Sequence, residues 1–117
     1  MRLVAFLIAC GATVAGPAAA DFERVTDKTQ FIQLVDGRTL SRPLVKLEVR
    51  SDGRIDGTGM ALRVSGGWGW EQGYFCRDLV WGSEDLGYNC QVVSFDGKRV
   101  RFHSDKGTGD YADFRLR

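Results

Sequence analysis

The chain changes its hydrophobic period once. Between Val25 and Gly37 the apolar residues Phe31, Leu34 and Val35 recur at i, i+3 and i+4, the spacing of a single helical face. Thr26 is placed to cap the first turn, Asp27 suits its positive end, and Gly37 offers a left-handed stop. The pattern predicts one short helix that docks its apolar face on a sheet. From there the period falls to two. Val45, Leu47 and Val49 alternate with Lys46, Glu48 and Arg50, and Met60, Leu62 and Val64 alternate with Ala61, Arg63 and Ser65. Val100 and Phe102, then Ala112, Phe114 and Leu116, repeat the arrangement. Such alternation predicts half-buried strands with one wet face.

Turn chemistry separates these strands. Ser51-Asp52-Gly53 and Phe95-Asp96-Gly97-Lys98 carry Asp-Gly hairpin signals, and Glu71-Gln72-Gly73 and Gly107-Thr108-Gly109 mark further reversals. Reversals about every 8–12 residues predict a mainly β fold. The expected architecture is a small antiparallel meander, either a β-barrel or a β-sandwich, with one N-terminal helix.

The first twenty residues follow a different rule. Arg2 is the only charge before Asp21, an apolar run covers Leu3–Ala9, and Pro17 precedes the small residues Ala18-Ala19-Ala20. This is the layout of a secretory signal, with cleavage expected after Ala20. Residues 1–20 are therefore assigned to a signal peptide and 21–117 to one exported domain, periplasmic or secreted. Leu7-Ile8-Ala9-Cys10 has the look of a lipid-attachment site, but it sits too close to the N-terminus for an ordinary signal, so no lipid anchor is expected. The apolar run is also too short and too interrupted for a membrane-spanning helix.

Removing the first 20 of 117 residues leaves 97, and with Arg2 gone the 15 acidic residues balance 15 basic ones. A balanced charge argues against a general nucleic-acid binder. The length excludes a two-domain dinucleotide enzyme, and a hydrophobic fraction of 44% excludes a disordered chain.

Of the three cysteines, Cys76 and Cys90 lie in the exported part. If Tyr74–Trp81 and Tyr88–Phe95 form a hairpin, opposed positions share a constant index sum, which Cys76 and Cys90 set at 166. The bend then centres near Ser83, and Asp78 faces Tyr88. Opposed side chains in such a pair are close enough to bridge, so a structural disulfide is expected.

Three groups of residues suggest chemistry. Trp68 and Trp70 share one face of a glycine-rich strand, with Trp81 on the neighbouring segment. The three could stack a sugar ring or an apolar ligand, or simply fill the core. His103, the only histidine, is followed by Ser104 and Asp105, with Asp110 and Asp113 beyond. A Ser/His/Asp assembly is conceivable, but alternation puts His103 on the wet face, so no catalytic residue is assigned. Asp105–Asp110 faintly resembles a calcium loop without its full ligand set. Neither a metal nor a cofactor is expected. Finally, arginine is the dominant cation, and Arg99 with Arg101 and Arg115 with Arg117 predict an outer face of mixed Arg and Asp.

The order of these features resembles a family of small exported β domains of unknown function from Gram-negative bacteria. The features are a short helix ending in Gly, then Ser51-Asp52-Gly53, Gly67-Trp68-Gly69-Trp70, Tyr74-Phe75-Cys76-Arg77, Asn89-Cys90-Gln91 and Asp96-Gly97. The resemblance covers most of residues 22–117. It implies a periplasmic location and brings no activity or catalytic residues. Some similar sequences carry a dihydrodipicolinate reductase name. That enzyme needs a G-x-G-x-x-G loop at a helix start, which this chain lacks. Gly67-Trp68 also resembles a lipocalin motif, but lipocalins are much longer, and no deep ligand cavity is expected here. The chain thus reads as a non-enzymatic binding or envelope-associated module. An envelope protein or a small ligand would be its partner, and an unspecified enzyme is the remaining alternative.

Overall fold

The computed structural model describes residues 21–117, so the signal peptide and Cys10 lie outside the described residues. Nine strands are present: β1 (Glu23–Val25), β2 (Leu40–Arg42), β3 (Val45–Val49), β4 (Arg54–Gly59), β5 (Leu62–Glu71), β6 (Tyr74–Trp81), β7 (Glu84–Phe95), β8 (Arg99–His103) and β9 (Tyr111–Leu116). Helix α1 (Lys28–Val35) follows β1, and a short turn, α2 (Ser104–Gly107), follows β8. Strands β2 to β9 form a closed antiparallel barrel of eight, because β9 pairs with both β2 and β8, and β8 pairs with β7. Closure removes the free sheet edges that a sandwich would leave. Strand β1 extends the β6 side of β7, with Val25 opposite Val93.

The core forms along the inward stripe of each strand. Leu40, Val49, Ile55, Phe75, Val93, Val100, Phe102 and Phe114 are buried, and Phe31 and Val35 of α1 join them. Hairpins alternate between the two ends of the barrel, and α1 sits at the end that carries the β3–β4, β5–β6 and β7–β8 turns. Phe31 is fully buried there, its ring 5.1–5.2 Å from those of Trp68, Trp70 and Phe75.

The Cys76–Cys90 disulfide is formed, and the pairing places Cys76 opposite Cys90 and Asp78 opposite Tyr88. The constant index sum holds only as far as Leu79↔Gly87. A bulge then brings Val80 opposite Asp85, which leaves exposed Leu86 as the extra residue.

Two local expectations need correcting. The helix is shorter than the 25–37 stretch. Val25 belongs to β1, and the cap is Asp27, whose side chain accepts a 2.8 Å hydrogen bond from the Gln30 N–H. Met60 and Ala61 do not continue the alternation of β5. They make the β4–β5 turn with φ of 49° and 69°, and Met60 is exposed. That left-handed pair is the backbone a two-residue hairpin demands, here achieved without glycine.

Candidate functional site

The barrel is filled by aromatic rings only at the α1 end. Toward the other end a cavity of about 260 Å³ opens between the strands. Its floor is apolar, made by Phe75, Phe102, Phe114, Ile55, Val49 and Leu40, and its upper wall carries Arg77, Gln91, Ser104 and Asp110. No deep, lipocalin-like cavity is expected of so short a chain, yet a small cavity is present. Eight strands fix the barrel's width whatever the chain length, and an interior of that width holds either side chains or one small ligand.

Strand parity puts Arg77 in the cavity wall. It lies two residues from Phe75 and two from Leu79, all three lining the cavity. Arg77 Nη1 donates to the Gly87 carbonyl at 2.8 Å. Gly87 stands beside the bulge with φ of 80°, and its own N–H donates to Asp85 Oδ1. The bulge thus fixes the carbonyl that holds the guanidinium. Among the described residues Arg77 makes no ion pair, whereas Arg50, Arg54, Arg63, Arg99 and Arg101 all do. Burial pushes the Arg77 pKa below its ordinary value, opposed only in part by the neighbouring charge of Asp78. The side chain stays cationic across the physiological range.

Among the described residues Gln91 is the one buried polar residue, 7% exposed, and its Nε2 donates to Ser104 Oγ at 3.1 Å. With that lone pair engaged, the Ser104 O–H remains a donor. Turn α2 is held against β7 by Asn89, which donates to Asp105 Oδ1 at 2.8 Å and accepts from the Asp105 N–H at 3.0 Å. Asp105 and Lys106 adopt left-handed conformations, so the segment is a tight reversal. The reversal places Ser104 on the cavity lining.

Trp68 and Trp70 are half-buried and pack on Phe31 at the plugged end, and their indole N–H groups donate to the carbonyls of Arg50 (2.8 Å) and Thr26 (3.3 Å). Trp81 stands apart, donating to the Gly59 carbonyl at 2.7 Å. The three indoles are not brought together around one site. The glycines beside them admit neighbouring backbone, as at Gly66, where a Cβ would collide with the Asp78 carbonyl.

His103, half-buried, donates from Nε2 to the Gly109 carbonyl at 2.9 Å. Its acidic neighbours are engaged elsewhere, Asp113 with Arg101 at 2.7 and 3.1 Å and Asp105 with Asn89. Ser104 bonds Gln91 rather than His103. Arg99 pairs with Asp96 and Arg101 with Asp113, so the outer face is the mixed Arg and Asp surface that the alternation predicts. The Arg101 guanidinium also stacks 3.9 Å from the ring centres of both Phe22 and Tyr111.

The residues that sequence reasoning missed are Arg77, Gln91 and Ser104 in its lumen role. The signal was available. A charged residue at the same parity as Phe75 and Leu79, and an amide at the same parity as Val93, are polar groups on a core face.

Among the described residues no helix is long and apolar enough to cross a membrane. Compared with family models, curated proteins and solved structures, the chain matches none of them.

Proposed function

We propose that the protein is a non-enzymatic binding module that holds one small, largely apolar ligand in the open half of its barrel. The observation that carries this reading is the cavity of about 260 Å³, with a floor of aromatic and aliphatic side chains and a few convergent polar groups. Pockets that bind small molecules share that composition, and the volume lies just below their usual range of about 300–1,000 Å³, which limits the guest to a small one. The rim adds support. Leu44, Met60, Leu62 and Leu86 are all exposed near turns that surround the mouth, an apolar approach for an apolar guest.

The module acts outside the cytoplasm, in the periplasm or beyond, as a member of a small exported β-domain family. The support is the Cys76–Cys90 bridge, which persists in oxidising compartments, together with the signal-like pattern of residues 1–20. A second reading, attachment to an envelope protein through the apolar rim, draws on the same exposed residues. Stacking of a sugar on Trp68, Trp70 and Trp81 draws less support, since the rings of Trp68 and Trp70 pack on Phe31 and Trp81 lies apart from both.

The test is a titration with 1-octanol followed by amide resonances in two-dimensional NMR. Saturable shifts are expected around Phe75, Phe102 and Phe114, and Ala112→Phe, which narrows the lumen, should weaken them. Shifts confined to the rim would favour the envelope partner instead. Shifts centred on Trp68 and Trp70 would move the site to the plugged end.

A further inference from the structure

The cavity holds a cation without a counter-ion. Arg77 has five N–H donors. One is placed on the Gly87 carbonyl, and among the described residues no carboxylate lies in ion-pair range. Desolvating a guanidinium is costly unless hydrogen bonds and an opposite charge offset it, and the barrel supplies only a single backbone acceptor. Of the two half-buried arginines among the described residues, Arg101 sits in a bidentate pair with Asp113, and Arg77, on the cavity lining, has no such partner.

The surroundings say where an anion would sit. Ser104, whose oxygen is engaged by Gln91, keeps a free O–H on the same cavity wall. Both donors lie toward the mouth, and the floor below them is apolar. Asp110, the one carboxylate on the lining, is exposed at the rim, where water screens it.

Resting on the lumen reading above, we infer that the ligand is a small amphipathic carboxylate. Its acid group lies on Arg77 and Ser104, and its apolar body lies on Phe75, Phe102 and Phe114. Arginine matches a carboxylate with two parallel donors, and a charge-assisted pair is stronger when partly desolvated. Size narrows the class. A cavity of ~150 Å³ takes benzene, so about 260 Å³ takes roughly ten non-hydrogen atoms. An eight-carbon alkyl acid has that size.

The experiment compares octanoate, 1-octanol and octylamine at pH 7 by calorimetry, with the disulfide-bonded protein and with Arg77→Met. Octanoate should bind about 10- to 100-fold more tightly than octanol, the range of one charge-assisted contact, and octylamine more weakly than either. In Arg77→Met the preference should vanish while octanol affinity persists. The Arg77 side-chain N–H resonance of the unaltered protein should also shift with octanoate and not with octanol, a readout that survives a poorly folded variant. Equal binding of octanoate and octanol, or a preference that persists in Arg77→Met, overturns the carboxylate assignment and leaves the lumen reading standing. No binding by any of the three overturns both.

Discussion

The two ends of the barrel are built from the same alternation and come out different. At one end α1 inserts Phe31 among Trp68, Trp70 and Phe75, and the rings leave no room. At the other end only the short turn α2 stands by the cavity, and the inward positions include Arg77 and Gln91. The aromatic cluster of the first end, continued through Phe102, becomes the floor of the second. The plugged end thus supplies most of the packing, and the open end supplies the polar groups that packing alone would not select. A molecule organised this way should separate stability from binding by position.

The largest effect is expected at the plug. Phe31→Ala removes a fully buried ring with four aromatic neighbours. It should cost about 3–5 kcal/mol, a large part of the ~5–15 kcal/mol available to a domain of this size. Arg77→Met at the other end should leave stability near that of the parent or raise it, because an apolar side chain replaces a partly desolvated charge. Urea unfolding of the two variants side by side measures the difference. Equal losses would erase the distinction between the ends.

Next comes the staple that joins both halves. Cys76 and Cys90 lie 14 positions apart on β6 and β7, and β6 runs from Phe75 on the floor to Trp81 near the mouth. Closing a loop of about 15 residues contributes roughly 3 kcal/mol in the chain-entropy model. Replacing both cysteines by alanine should lower the urea midpoint accordingly, less than Phe31→Ala does. Octanol binding at temperatures where the variant remains folded should persist, since Cys76 and Cys90 do not line the cavity.

What could be read from the sequence follows the same division. The pairing of Cys76 with Cys90, the strand β6 and the docking face of α1 were legible because each rests on a local period and one geometric rule. The bulge after Leu79 was not, because its cause is the match between β6 and β7 around the Gly82-Ser83 turn. The left-handed conformations of Leu44, Met60 and Ala61 were not legible either, since none of these residues carries the usual glycine or asparagine signature. Trp68 and Trp70 drew the eye as a site because aromatic rings look alike whether they pack or bind. Arg77 escaped notice because its meaning depends on which way β6 faces, and that is set only when the barrel closes.

The smallest effect concerns the plugged end again, at the β7–β8 turn. The Asp96 carboxylate accepts hydrogen bonds from the backbone N–H groups of Arg99 (2.7 Å) and Lys98 (2.9 Å), and from the Arg99 guanidinium. These contacts, the Arg99 and Lys98 amides foremost, lower its pKa from 3.8 to about 2. A carboxylate whose folded pKa is depressed binds its proton more readily in the unfolded chain. Its contribution to stability is therefore present above about pH 4 and is lost as pH falls toward 2. Asp52 shifts in the same direction, chiefly through the Arg54 N–H, so the pH profile of the parent alone does not isolate Asp96. The comparison with Asp96→Asn does. The parent's advantage in urea midpoint at pH 6 should shrink steadily between pH 4 and pH 2, and octanol binding at pH 6 should be the same in both proteins. A constant gap between the two curves across that interval would show that the turn draws nothing from the charge of Asp96.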